Sequence, residues 1–303
     1  MTGQNNPTGN KVVLAIDGSE HAMTAMRFIQ NLQFPKTCVI SIIAVLIPRN
    51  AQYHATLAAL LEQTTDALKI KGFVVEDHLL TGYPAEQIIK FTQDNNPTLL
   101  VLGAKGLRGT LRILLGGVAQ QVVNYAHCPV LLIRAPHAEA KKVLIVTDGS
   151  EHSEYVLSQL ENCPLPSESQ VTAMHVLPPE MTSEMLIRSW PYGLDTLPHI
   201  VTTEVEETMA KRAMEEEKAG YDLLNKTVKE LAARGITANS ILVRGDAATE
   251  IINYADENNI DLIIAGSRGL SQVQSLFLGS VSSKLTHYAN CSVLIVKKPI
   301  QED

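Results

Sequence analysis

The chain has 303 residues, 45% of them hydrophobic and 19% charged, which suits one large or two ordinary globular domains with ample core and excludes a disordered chain. Its net charge of −7 and pI near 5.7 argue against a general nucleic-acid binder, which would carry a basic face. No apolar run reaches the ~20 residues of a membrane span. The four cysteines, Cys38, Cys128, Cys163 and Cys291, form no C-x-x-C pair and no metal spacing, so they read as buried free thiols in a reducing, cytoplasmic setting.

Residues 1–10, "MTGQNNPTGN", are polar and lack the features of a secretion signal; they read as a disordered leader. "KVVLAIDGSEHA" (11–22) is an apolar strand that runs into a turn and a helix. Further on come "LGAKGLRGTLRILLGGVAQQV" (102–122) and "YAHCPVLLIR" (125–134). After the short polar stretch "RAPHAEAKK" (134–142) the series begins again, as "KVLIVTDGSEHS" (142–153), "AGSRGLSQVQSLFLGSVSSKL" (265–285) and "YANCSVLIVK" (288–297). Asp17 and Asp148 are 131 positions apart, whereas Gly103 and Gly266 are 163 apart, so the second copy holds 32 extra residues. The chain is a tandem duplication. The expected domains are 11–136 and 141–299, with the insertion after the second strand at about 178–210, around Trp190 and Tyr192. That insertion is either a lid, a partner contact or a packed loop.

In the second copy the strands read "KVLIVT", "QVTAMHVL", "ITANSILV", "DLIIAG" and "SVLIVK", apolar enough to be covered on both faces as in a parallel sheet. Helical segments separate them, including "TEIINYADENN" and a long one, 202–235, that closes on Gly235. Alternation of this kind predicts a Rossmann-like open α/β sheet with right-handed crossovers in each copy.

The glycines after the fourth strand carry the chemistry. Gly266-x-x-Gly269, nine residues, then Gly279-Ser280 puts the first Gly at a strand end and the last pair at a helix start. Strand C-termini in such sheets face the ligand crevice. Glycines let backbone approach a phosphate, and first-turn amides with the helix dipole favour an anion. Ser280, with Ser282 or Ser283, adds hydroxyls. The alternative is a loop whose glycines serve only tight packing. Asp148, at the end of the first strand, is an acceptor for ribose hydroxyls or a metal, or else a helix cap.

"DGSE" after strand one and G-x-x-G, nine residues, G-[S/T] after strand four resemble the universal stress protein family over both copies. The resemblance implies a five-stranded sheet ordered 3-2-1-4-5 in each copy and a pseudo-dimer in which the fifth strands pair within one chain. It further implies an ATP-binding, stress-response sensor or regulator, with ADP or AMP as alternatives and Mg2+ as an optional companion. Asp148 would contact ribose and the Val176 backbone adenine. Gly266, Ser267, Arg268, Gly269, Gly279, Ser280 and the Val281 amide would hold the phosphates.

The first copy keeps Asp17, Val45, Gly103, Gly106 and Gly116, but Gly117 replaces the serine hydroxyl. Losing one hydrogen bond to a charged group costs about 1.5–3 kcal/mol, so a weaker or vacant site is expected there unless Lys105 and Arg108 compensate. There is no Walker lysine motif and no H-E-x-x-H. His21 and His152 read as exposed first-turn residues and His175 as a core imidazole. No catalytic residue or metal ligand is expected, and ATP hydrolysis would be slow at most. A slow ATPase and a ligand-free interaction scaffold are the competing readings. A homodimer and an unknown protein partner stay open; nucleic acid and membrane are not expected partners.

Overall fold

The computed structural model describes residues 10–35, 37–48, 53–107, 115–166, 168–180, 203–270 and 278–298. Most of the expected leader, Arg108, and the 181–202 part of the expected insertion with Trp190 and Tyr192 lie outside the described residues.

The first copy runs β1 (Lys11–Ile16), α1 (Glu20–Gln30), β2 (Val39–Leu46), α2 (His54–Ile70), β3 (Val74–Thr81), α3 (Pro84–Asn95), β4 (Leu99–Gly103), α4 (Gly117–Tyr125) and β5 (Val130–Ile133). The second runs β6 (Lys142–Val146), α5 (Glu151–Gln159), β7 (Gln170–Leu177), α6 (Thr203–Ala233), β8 (Ala238–Arg244), α7 (Ala247–Glu257), β9 (Leu262–Gly266), α8 (Ser280–Tyr288) and β10 (Ser292–Val296). The helix after the second strand has 31 residues in the second copy against 17 in the first, so much of the added sequence extends α6. No helix among the described residues is long and apolar enough to cross a membrane.

All ten strands join one sheet, ordered β3-β2-β1-β4-β5-β10-β9-β6-β7-β8. Each half has the order 3-2-1-4-5 with parallel neighbours, and the halves meet where β5 and β10 pair antiparallel, Leu131 opposite Leu294. Strand direction therefore reverses at the join, and the carboxyl ends of the two parallel sets lie at opposite ends of the sheet. The outer strands β3 and β8 are the polar ones, with Glu76, Asp77 and His78 on one and Asn239 and Ser240 on the other. Such residues keep an open edge from recruiting further strands.

Alternate residues of each inner strand enter two apolar layers. Val12 and Leu14 join Phe28, Val143, Ile145 and Leu231 on the face of α1, α2, α5 and α6. Val13 joins Val122, Leu144, Ile263, Leu285 and Val293 on the face of α3, α4, α7 and α8. Each layer draws on both copies, so the halves share their core. Complete burial of a Leu, Ile or Phe side chain contributes about 1.5–3 kcal/mol.

Candidate functional site

The site begins at the strand β6 terminus. Gly149 has a left-handed backbone, φ +75°, that turns the chain sharply after Asp148. Ser150 then caps α5 by accepting the Ser153 N–H at 3.3 Å, while Asp148 Oδ1 accepts the Ser150 N–H at 3.0 Å. The cap is thus the serine, and the aspartate stands just outside the helix with its carboxylate held in place. First-copy geometry is the same: Gly18 at φ +82°, Ser19 as cap, and Asp17 Oδ1 on the Ser19 N–H at 2.9 Å.

Because β6 lies next to β9, Asp148 meets the glycine loop. A Cβ added to Gly269 would sit 2.5 Å from Asp148 Oδ2, and one added to Gly106 would sit 2.7 Å from Asp17 Oδ2. A side chain at either glycine would have to push the carboxylate aside. Gly266 serves a different contact. A Cβ there would lie 3.1 Å from the His152 carbonyl, so this glycine lets the strand end pack on the first turn of α5.

The loop is closed on itself. Ser267 N–H donates to the Val296 carbonyl and its own carbonyl accepts the Gly279 N–H, both at 2.8 Å. Ser282 is buried, and its hydroxyl donates to the Gly266 carbonyl at 2.7 Å. That hydroxyl therefore braces the loop instead of facing a ligand. Gly279 caps α8 without any side-chain hydrogen bond, and the first turn has no acidic residue. The first-turn amides, among them Ser280 and Val281, have no carbonyl within the helix to bind, which leaves an electropositive cradle beside Asp148.

Val176 completes the crevice. The last β6 pairing is Val146 with Met174, and the Thr147 N–H donates to the Met174 carbonyl at 2.9 Å. Hydrogen-bonding direction alternates along a strand, so Val176, two residues further, points its N–H and carbonyl to the side where β6 has ended. One donor and one acceptor thus face the space above Asp148.

The sequence model of the universal stress protein family matches residues 9–134 and again 139–297. The chain belongs to the universal stress protein family. It carries two copies in tandem. Universal stress protein YxiE of Bacillus subtilis is 30% identical over 156 residues, 52% of this chain and 98% of that protein. Universal stress protein MJ0577 of Methanocaldococcus jannaschii is likewise 30% identical over 158 residues, 52% of this chain and 95% of that one. The crystal structure of a universal stress protein from Archaeoglobus fulgidus superposes with a TM-score of 0.62 at 20% identity, covering 97% of this chain and 98% of that one.

Within this universal stress protein, Asp148, Val176, Gly266, Ser267, Arg268, Gly269, Gly279, Ser280 and Val281 all lie at the carboxyl edge of the second copy. Asp17, Val45, Gly103, Gly106, Gly116 and Gly117 lie at the matching edge of the first. The copies differ in detail. Asp17 Oδ2 also accepts the Leu107 N–H at 3.3 Å, and Ser19 Oγ donates to the Lys105 carbonyl at 3.1 Å, so the first cradle is fastened to its own aspartate. Ala119 stands where Ser282 braces the second loop, and a Cβ on Gly117 would meet open space. Among the described residues no three His, Cys, Asp or Glu side chains converge as metal ligands.

The histidines correct an expectation. His21 and His152 are partly buried, and the His21 ring packs at the end of β5, beside Ile133 and Ala135. Nδ1 of His21 lies 3.0 Å from the Ala135 N and 3.3 Å from the Ile133 carbonyl, which seats the ring against the end of β5. Burial holds the His152 imidazole below its usual pKa, and Arg268 and Lys298 press it lower still, with Asp148 and Glu151 opposing. Its buried Nδ1 has no partner among the described residues. His175 is half-buried and not, as expected, a core imidazole; its Nδ1 lies 2.8 Å from the Thr147 carbonyl. Lys298 carries no signal in the sequence; it pairs with Glu151 at 2.5 Å, directly above the α5 start.

Proposed function

We propose that the protein binds an adenine nucleotide, ATP foremost, in the second copy, and that occupancy rather than turnover is its signal. The observation that carries this reading is the contact between Asp148 Oδ2 and the space a Gly269 side chain would fill. It sets a fixed acceptor for ribose hydroxyls against the amides that would hold phosphate. The Val176 backbone offers the base one donor and one acceptor, Ser280 adds a hydroxyl, and Arg268 supplies positive charge at the loop. Mg2+, where it accompanies the phosphates, would be held by phosphate oxygens and water, since no protein ligand cluster stands nearby among the described residues.

The Asp17–Leu107 bond and the missing hydroxyl at Gly117 favour a weaker first site. The test is calorimetry of the full chain with ATP, beside mass spectrometry of any ligand released on denaturation. One strong site that Gly269→Val removes is the expected result. Failure of millimolar ATP to bind the full chain refutes the reading.

A further inference from the structure

The fifth strands end in pseudo-symmetric basic residues, Arg134 and Lys297, and each reaches into the opposite copy. An Arg134 Nη donates to the Thr286 carbonyl at 2.7 Å, near the end of α8. Lys297 Nζ donates to the Asn124 and Ala126 carbonyls at 3.1 and 2.6 Å, at the end of α4. Carbonyls there lack helical partners and carry the negative end of the dipole. α4 has no basic residue in its own last turn, so the cation comes from the other copy.

These helices are also the ones whose opposite ends build the phosphate cradles. Lys297 directly follows Val296, whose carbonyl holds the Ser267 N–H of the second cradle at 2.8 Å. We propose that Lys297 is a positioning residue that couples the two cradles: fixed beside the second loop, it anchors the helix that forms the first.

Two states of this anchor give the coupling its physical content. Burial brings the Lys297 ammonium down to about 8, and the Arg268 charge on the second loop acts in the same direction. Among the described residues, Arg268 and Cys128 are the ionisable groups that act on it, one from each copy. The Cys128 thiol is itself pushed up to about 12 by burial, so it stays neutral at physiological pH. Near and above pH 8, where the ammonium would otherwise be lost, a phosphate tail against Arg268 cancels the repulsion and keeps Lys297 charged, which preserves its hold on α4. Loading of the second cradle then favours an ordered first one, and linkage makes the effect reciprocal. Arg134 carries a group with no accessible neutral form, so its side of the join lacks this switch.

This inference rests in part on nucleotide binding by the second copy, so the test has an arm that does not. In the full chain with lysine labelled at 13Cε, Lys297, assigned with Lys297→Arg, should titrate below the other lysines. Its midpoint should move upward when ATP is added, and also in Arg268→Ala without any nucleotide. Hydrogen exchange at pH 7 should show α4 losing protection in Lys297→Met and keeping it in Lys297→Arg. ATP binding that leaves Lys297 unmoved overturns the coupling while sparing the nucleotide reading. An unchanged midpoint in Arg268→Ala, or unchanged α4 protection in Lys297→Met, overturns it whatever ATP does.

Discussion

The two copies share a backbone and differ in what their carboxylates and loops are bound to. In the first, Asp17 holds the Leu107 amide and Ser19 holds the Lys105 carbonyl, so the loop and the turn satisfy each other. In the second, the loop is braced from behind by Ser282, away from the crevice. A loop fastened from behind keeps its mouth ready for a ligand; a loop fastened across the mouth must first give up a bond. Duplication has therefore placed two cradles on a common frame, the first with a bond from its loop to its aspartate and the second with a brace from Ser282.

The sharpest way to break this contrast is Gly269→Val. Its Cβ would collide with Asp148, and ATP affinity should fall about a hundredfold or more by calorimetry, roughly 3 kcal/mol. Gly106→Val, a similar collision in the first copy, should leave the strong site in place.

The basic pair at the join offers a second contrast, in pH. The folded Lys297 pKa of about 8 lies below the ~10.4 of an unfolded lysine, so its penalty is felt in full below pH 8. Between those values the unfolded chain binds the extra proton, and stability rises with pH by on the order of 2 kcal/mol. Chemical denaturation across pH 7–10 should show this rise in the parent relative to Lys297→Arg, which cannot lose its charge. The anchor on α4 loosens over the same interval, so local hold and global stability run in opposite directions.

Asp148→Ala should weaken ATP binding about tenfold to a hundredfold, as expected for removing an acceptor of ribose hydroxyls, whereas Asp17→Ala should reach the strong site only through the coupling between cradles, a far smaller change. The smallest effect belongs to the hydroxyl exchange. Ser280→Gly should cost about tenfold in the second copy, and Gly117→Ser, which has open space for its Cβ, should strengthen the first by a similar factor. If Gly117→Ser adds no binding in a two-site calorimetric fit, the Leu107 bond and not the missing hydroxyl keeps that cradle shut.

Much of this is legible in the sequence because it resides in residue types with few alternatives. Glycine at strand ends and aspartate in a turn mark positions that backbone geometry dictates. The sheet order follows from the family resemblance, and the structure has it. What stays hidden depends on direction. Spacing does not show that the Ser282 hydroxyl turns back to Gly266, or that Gly266 serves helix packing while Gly269 serves the carboxylate. Histidine at 21 and 152 looks exposed because first-turn residues usually are, and the contact of His21 with Ile133 and Ala135 emerges only once the sheet is built. Arg134 and Lys297 align in the repeat, yet their reach into the opposite copy emerges only once the fifth strands pair antiparallel.

That pairing has a consequence for the gene. β5 and β10 are apolar along nearly their whole length and entirely buried against each other and their helices. Severing the chain between the repeats would give two proteins, each with a greasy, unpaired border. Neither would be a smaller version of the parent, and each would seek a substitute mate. The linker at 134–142 thus does more than hold neighbours together: it guarantees that the border of one repeat always finds the unlike border of the other, so the heterotypic match is inherited as a unit and the two crevices can diverge.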